Sequence, residues 1–512
     1  MFFVLILLLF VLIYLYSTRN HGYWSKRNVK HDFPVPLFGN HIRNQFGLKS
    51  ITQITTELYN KYSDEKVVGY YTGTTPELII RDPDIIRCIL SVDFSCFYVR
   101  GMGRDPEKEP LLYSLFHVEG DLWKLLRQRL TPAFTTAKLK NMFPLIVNCA
   151  EKLHVVGEGI VSRGGECDVR ELMARFTTEF IGACGFGIEM DSINNENSMF
   201  RNLGRLLFER SFTEIIKMNL YELFPELRYF ICVRDANVEK SVFELVTKIR
   251  EQRNNKPCGR NDFIDLLLAI EENGTIEGES IEKVDADNKP LKVEMEMDFK
   301  CMVAQVFVFF AAGFETSSSV TSYTLHELAY HPDIQARIQD EIDEVLSRYD
   351  NKFCYEAVAE MTLLEMALKE GLRLFPSLGV LNRVCTRRYT LPGTNVTIDP
   401  GVKIMIPVQA LQTDEQYFKD AKEFRPERFS GEEGKKINKY TYLPFGVGPR
   451  ACIGYRLGHM QSLAGLAALL QKFTVEPSTC TKRVPPIKPT SNVVQGVEGG
   501  LNLKMKLRNK VK

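Results

Sequence analysis

Phe445-Gly-Val-Gly-Pro-Arg-Ala-Cys-Ile-Gly454 sets one cysteine, Cys452, among three glycines, a proline and an arginine, with an apolar run behind it. A cysteine that only packs needs no such neighbours; a thiolate that must hold a metal does. Gly446, Gly448 and Gly454 allow turns that a Cβ would forbid. Such a loop can aim amide N–H groups at the sulfur and let a flat cofactor lie against the main chain. Arg450 places a fixed positive charge close by, suited to a thiolate or to a cofactor carboxylate. The plainer reading is a glycine-rich turn around a buried cysteine.

The chain around this loop has 512 residues, 45% of them hydrophobic, and a net charge of +1. That length allows a large core and one to four domains. Its 65 basic and 64 acidic residues give no reason to expect nucleic acid as a partner. The 12 cysteines include no Cys-x-x-Cys pair, which argues against a disulfide framework or a zinc site and for a reducing compartment. The 8 histidines include no His-Glu-x-x-His; His326 and His331 do not share a helix face.

Phe2 to Tyr16 is an unbroken apolar run. As a helix it spans about 23 Å, and with Met1, Ser17 and Thr18 about 27 Å, near the thickness of an endoplasmic reticulum bilayer. No small-x-small cleavage site follows, so a cleaved signal peptide is the alternative rather than the preferred reading. Arg19, Lys26, Arg27 and Lys30 precede the first acid, Asp32, which places the body in the cytosol by the positive-inside rule. Tyr23 and Trp24 suit the membrane interface. Residues 1–18 therefore read as a transmembrane signal anchor and 19–50 as a basic linker containing Pro34 and Pro36. Residues 51–512 read as one further domain, which carries the Cys452 loop.

Within the body, Val67–Tyr71 and Glu77–Arg81 read as a β-hairpin and Val402–Val408 as a strand. Helical patterns dominate elsewhere. Trp123 and Arg127, four apart, share a helix face, and a cation stacked on an indole would explain them. Gln252–Asn261 is a polar break, and the acidic stretch Asn273–Asp298 reads as a solvated, mobile loop. Phe299 to about Glu327 predicts a central helix about 43 Å long. Its middle, Ala311-Ala-Gly-Phe-Glu-Thr316, is too polar for a second membrane span. Gly313 would open the backbone to a ligand, and Glu315 and Thr316 place an acid and a hydroxyl where a buried helix favours neither. A polar notch satisfied by a neighbouring helix is the other reading. Glu370 and Arg373 form an i, i+3 pair, and Phe424-Arg-Pro-Glu-Arg-Phe429 follows about 50 residues later.

The cysteine loop resembles the haem-binding segment of the cytochrome P450 family, Phe-x-x-Gly-x-Arg-x-Cys-x-Gly, at every fixed position. Three further motifs follow the family's order: Trp123-x-x-x-Arg127, Ala312-Gly-Phe-Glu-Thr316, and Glu370-x-x-Arg373 with Pro426-Glu-Arg-Phe429. Lys124 and Gly371 depart from the arginine and threonine usual there. The resemblance implies a mainly α fold with small β sheets. Haem b, iron protoporphyrin IX, would sit between the long helix and the loop, with Cys452 as axial thiolate to the iron. Trp123, Arg127, Arg100 and Arg383 would meet its propionates, with Arg450 a further cofactor-binding residue. Thr316 would hold oxygen and waters, and Glu315 would help relay protons for O–O cleavage. Glu370, Arg373 and Arg428 would form a buried network under the loop.

The same resemblance, strongest to the microsomal animal group that includes insect detoxification enzymes, implies a monooxygenase. It would insert one atom of O2 into a lipophilic small molecule, a xenobiotic or an endogenous lipid or steroid. Electrons would come from NADPH through NADPH–cytochrome P450 reductase, with cytochrome b5 as a second partner. The protein would sit on the endoplasmic reticulum membrane with its catalytic domain on the cytosolic side. The chain has no Gly-x-Gly-x-x-Gly fingerprint, so NADPH is not expected to bind directly. Lys124, Lys138, Lys140, Lys435, Lys436 and Lys439 are candidates for a basic docking face. Phe97, Leu115, Phe116, Phe307, Phe310, Phe314, Leu378, Val380 and Val493 could line an apolar cavity. Two other classes compete: a haem-thiolate isomerase or dehydratase acting on peroxides, and a non-catalytic haem-binding membrane protein. Retention of Glu315 and Thr316 argues against the first, and their retention together with an open notch at Gly313 argues against the second.

Overall fold

A computed structural model describes residues 2–103, 105, 107–188, 190–195, 198–208, 212–224, 226–227, 230–233, 236–260, 262–491 and 493–508. The elements used below, numbered in chain order, begin with α1 (Phe2–Thr18), β1 (Val67–Thr72), β2 (Thr75–Ile80), α2 (Gly120–Leu130), α3 (Thr136–Ser162), β3 (Glu166–Asp168) and α4 (Val169–Ile181). They continue with α5 (Phe212–Leu223), α6 (Phe263–Glu272), β4 (Thr275–Val284), β5 (Pro290–Glu296), α7 (Phe299–Tyr330) and α8 (Thr362–Leu374). The last are β6 (Leu381–Val384), β7 (Lys403–Ile406), α9 (Tyr455–Lys472), β8 (Phe473–Pro477) and β9 (Asn502–Leu507).

α7 is the axis of the helical layer. Its 32 residues are buried along most of their length. Asp298 caps it by accepting from the Cys301 amide at 2.7 Å. Four buried hydroxyls in its second half are satisfied inside the helix, while that of Ser319 has no partner. Ser318, Thr321, Ser322 and Thr324 each donate to a carbonyl three or four residues back, at 3.0, 2.8, 2.7 and 2.8 Å. α4, α8 and α9 pack on α7 through small residues. A Cβ on Gly371 of α8 would come within 2.3 Å of the Thr324 hydroxyl. At this position, where a threonine is usual, glycine permits close helix contact.

The sheets are small, as a mainly α fold requires. The largest runs in the order β1, β2, β7, β6, with β2 and β7 parallel and the other neighbours antiparallel. A second joins β8, β9 and β3. Every residue of β1 is buried, because both of its faces are covered. Part of the cover is Trp24, which is fully buried and donates its indole N–H to the Tyr70 carbonyl at 3.1 Å. Gly69 makes room for it: a Cβ there would lie 2.6 Å from the indole ring. Trp24 is therefore a core residue and not the interfacial anchor expected from its place after the apolar run.

α1 is exposed along almost its whole length. Its last turn is tied down by Glu226, which accepts from Tyr16 at 2.6 Å and pairs with Arg19 at 2.7 Å. Among the described residues, α7 is the one helix long and apolar enough to cross a membrane, and it is core.

The stretch Asn273–Asp298 is not a mobile loop. It folds into the antiparallel hairpin β4–β5, closed by a turn in which the Asp285 amide bonds the Lys289 carbonyl at 2.9 Å. Ile276 and Ser280 face inward and are buried, while Glu277 and Glu279 face out. The stretch looked loop-like because its inner face is only partly apolar: it packs on α2, with Ser280 bonded to Asp121.

Candidate active site

The loop before α9 is held by its glycines. Gly446 and Gly448 have φ of 66° and 78°. A Cβ on Gly448 would stand 1.8 Å from the Leu90 carbonyl oxygen, so no other residue fits. The Cys452 amide donates to the Phe445 carbonyl at 2.9 Å, closing the turn. The Cys452 side chain is exposed. Burial pushes its thiol up, and the Gly454 amide, Arg127 and Arg100 pull the other way.

Arg100, Arg127 and Arg383 gather around this loop and its own Arg450. Arg127 of α2 donates to the Ala451 carbonyl at 2.8 Å, and Arg100 to the Arg450 carbonyl at 3.2 Å. Arg450 donates to the carbonyls of Tyr98 and Val118, both at 3.0 Å, and its guanidinium lies 4.2 Å over the Trp123 ring. The cation on the indole is thus Arg450, not Arg127. Arg383 of β6 is buried and donates to the Asn382 carbonyl at 2.7 Å. Burial, with repulsion from Arg100, pulls the Arg383 guanidinium down to about 9. Burial, with Arg100 and Arg383 nearby, pulls Arg450 down to about 8. Nε of Arg383 and Nη1 of Arg450 are buried without an acceptor.

On α7, Val308, Ala312 and Thr316 repeat every fourth residue, and this stripe, with Phe309, Ala311 and Gly313 beside it, keeps solvent access along the middle of a mostly buried helix. Thr316 donates its hydroxyl to the Ala312 carbonyl at 2.7 Å. Ser377 donates to the Thr316 carbonyl at 3.1 Å. The next residue, Ser317, faces Gly458 in the first turn of α9, so the middle of α7 and the end of the cysteine loop lie side by side. Glu315 points elsewhere, pairing with Arg170 of α4. Gly313 is not open to a ligand as expected. The space of its missing side chain is filled by Ile181 of α4, whose Cδ1 would stand 2.4 Å from a Cβ there.

Glu370, Arg373 and Arg428 are brought together and fully enclosed. Glu370 accepts from Arg373 Nε and Nη2 and from Arg428 Nε, each at 2.8 Å, and from the Arg425 amide at 2.9 Å. Arg373 and Arg428 spend their other N–H groups on carbonyls of residues 412–423. Gln412 ties this network to the cysteine loop. Its amide donates to the carbonyls of Leu372 and Arg373, and its oxygen accepts from the Leu443 amide at 2.8 Å.

Of the apolar candidates, Phe97 lies in the β-sheet core against Tyr389, and Phe310 and Phe314 pack on each other and are buried. Phe116, Leu378, Val380 and Val493 keep partial access. Lys124 is half-covered and stands 3.9 Å from Glu279. Sequence reasoning missed Arg170, Gln412 and Ser377, each of which acts on a residue far along the chain and carries no local signal.

The arrangement fits a flat, dianionic, metal-bearing cofactor. The accessible sulfur offers one ligand, and the buried donors of Arg383 and Arg450 call for anionic acceptors. No group of three or more His, Cys, Asp or Glu side chains could hold a metal among the described residues. A metal at Cys452 would therefore take its other ligands from the cofactor.

A family model described as Cytochrome P450 matches residues 30–501. The chain is 37% identical to cytochrome P450 6B2 of Helicoverpa armigera, over 98% of this chain and 97% of that protein. It is 37% identical to cytochrome P450 6a2 of Drosophila melanogaster, over 98% and 99% of the two chains. Against cytochrome P450 6k1 of Blattella germanica it is 35% identical, over 97% and 95%. With the motifs in order and the match nearly end to end, the chain belongs to the cytochrome P450 family and is an oxidoreductase, a haem-thiolate monooxygenase.

Proposed function

We propose that the chain oxidises lipophilic small molecules, xenobiotics foremost, at the endoplasmic reticulum membrane, with electrons from NADPH delivered through a diflavin reductase. The observation that carries this reading is the meeting of an accessible Cys452, four arginines of which Arg383 and Arg450 keep a buried unpartnered donor, and the accessible stripe of α7 beside the loop. Bound haem would supply the redox chemistry that activates O2.

Cys452 would supply the thiolate that holds the haem iron, on a loop shaped by the Gly446 and Gly448 turns. Arg100, Arg127, Arg383 and Arg450 would hold the propionates, with Trp123 packed under Arg450. The cluster binds a dianion well because its own charges repel, and a dianion relieves that repulsion. Thr316 spends its one proton on the Ala312 carbonyl, so its oxygen faces the cleft as an acceptor. To pass a proton, Glu315 has to loosen its pair with Arg170, so Arg170 governs how readily it does so. The half-accessible Phe116, Leu378, Val380 and Val493 give the cleft an apolar wall, which supports a lipophilic substrate.

The exposed apolar α1 supports a membrane location. So do Phe33, Phe46, Leu48, Leu220 and Phe230, all exposed. The α5 part of this surface lies beside Phe46, since Asn219 bonds the Gln45 carbonyl at 3.0 Å.

The deciding experiment is the carbon monoxide difference spectrum of the dithionite-reduced protein beside Cys452→Ser. A red-shifted Soret band, lost in the variant, is expected. An unshifted band that the substitution leaves alone would overturn the assignment of Cys452. NADPH consumption with reductase and a panel of lipophiles then tests the substrate class.

A further inference from the structure

The β4–β5 hairpin is fixed on α2 by contacts that a loose insertion would not make. Ser280 donates to the Asp121 carboxylate at 2.8 Å, and the Ile281 amide donates to it at 2.6 Å. Tyr98 donates to Glu282 at 3.1 Å. Gly278 lies flat on the helix: a Cβ there would be 2.6 Å from Leu125 Cδ2 and 3.2 Å from Gln128. Asp121, Lys124, Leu125 and Gln128 form one face of α2, and the ribbon covers it. Arg127, on another face, reaches the cysteine loop. α2 is therefore held between the cysteine loop and the hairpin.

The ribbon carries acid onto a face of α2 that holds one base, Lys124, beside one acid, Asp121. Between Thr275 and Glu296 the sequence has Glu277, Glu279, Glu282, Asp285, Asp287, Glu294 and Glu296 against Lys283, Lys289 and Lys292. Glu277, Glu279, Glu294 and Glu296 are exposed. Glu279 faces Lys124, whose side chain keeps only 25% exposure. Arg129 at the end of α2 and Lys140 at the start of α3 are exposed nearby in the chain.

We propose that the hairpin is an acidic cover on the outer face of α2, which an acidic redox protein must outcompete to dock there. It rests on the reading that a reductase docks on this basic surface. The hairpin then sets both the affinity of that docking and its dependence on ionic strength, because exposed charges are screened over about 10 Å at 0.1 M salt.

The test uses the full-length, haem-loaded protein and the reductase, with binding titrated at several salt concentrations. One variant neutralises the outer acids, Glu277→Gln, Glu279→Gln, Glu294→Gln and Glu296→Gln. The other, Gly278→Leu, pushes the ribbon off Leu125 without changing charge. Both are expected to bind reductase on the order of tenfold more tightly at low salt, with the gain lost at high salt. Charge reversal at Arg129, Lys138 and Lys140 is expected to weaken binding. If that reversal weakens binding while both hairpin variants bind like the parent, the cover is refuted and the docking reading stands. If the reversal changes nothing, the docking reading fails and takes the cover with it. An unchanged carbon monoxide spectrum certifies each variant; should Gly278→Leu lose haem, the charge-neutralised variant decides alone.

Discussion

Arg170, in the first turn of α4, is the ion-pair partner of Glu315, 145 residues further along the chain in the middle of α7. Both side chains are largely buried, at 18% and 11% exposure. Burial alone would pull the arginine down, but the carboxylate holds it above its usual value. Arg170→Met leaves a buried carboxylate without its counter-charge. It should cost about 3–5 kcal/mol of stability, read from chemical denaturation. Glu315→Gln should lower turnover by about 10²-fold or more if the acid passes protons, with the carbon monoxide spectrum unchanged. Full turnover in that variant would remove Glu315 from the chemistry.

Glu370 balances two guanidiniums that have no access to water. Glu370→Ala would strand both, at a cost of about 3–5 kcal/mol or more, a large part of a domain's whole stability. We expect little folded, haem-loaded protein. Arg428→Lys keeps the charge but gives up the bonds to the Lys419 and Asp420 carbonyls, and should retain haem only in part. The measurements are the haem-to-protein ratio and the thermal midpoint. A Glu370→Ala protein with normal haem content would show that the network does not support the loop.

What was legible in the sequence was local. The cysteine loop announces itself because its turns need glycine at fixed places, as Gly448 against Leu90 illustrates. α7 was legible from its apolar run and α2 from its amphipathic spacing. Relations between distant residues were not. Trp24 follows an apolar run and looks interfacial, but Gly69, far along the chain, opens the slot that buries it. The β4–β5 hairpin carries a period-two pattern, yet its charge hid the pattern because the inner face meets a partly polar helix. Gly313 reads equally as a notch for a ligand or for another helix. Only the position of Ile181 decides between them.

Arg383 offers a way to separate cofactor binding from fold stability. Its Nε is buried and unpartnered, and Arg100 repels it. Arg383→Met removes that repulsion, so the haem-free protein should be as stable as the parent or more so. Haem affinity should fall about tenfold or more, since a charged hydrogen bond is lost. Transfer of haem to a competing scavenger protein measures the affinity, and denaturation of the haem-free form measures the fold. Loss of stability without loss of haem affinity would make Arg383 a structural residue.

Gly313 gives a double-mutant test of what that glycine is for. Its helical backbone would accept alanine, which alone should favour the helix by about 1 kcal/mol. The Cβ, however, would collide with Ile181, so Gly313→Ala should instead destabilise by about 1–3 kcal/mol. In an Ile181→Ala background the collision is gone, and the same substitution should become neutral or stabilising. The cycle isolates this coupling from the cavity cost of Ile181→Ala itself. If Gly313 instead served a ligand, Gly313→Ala would impair substrate oxidation equally in both backgrounds, and the stability coupling would be near zero. The denaturation cycle and the turnover of the four proteins together distinguish a packing glycine from a binding one.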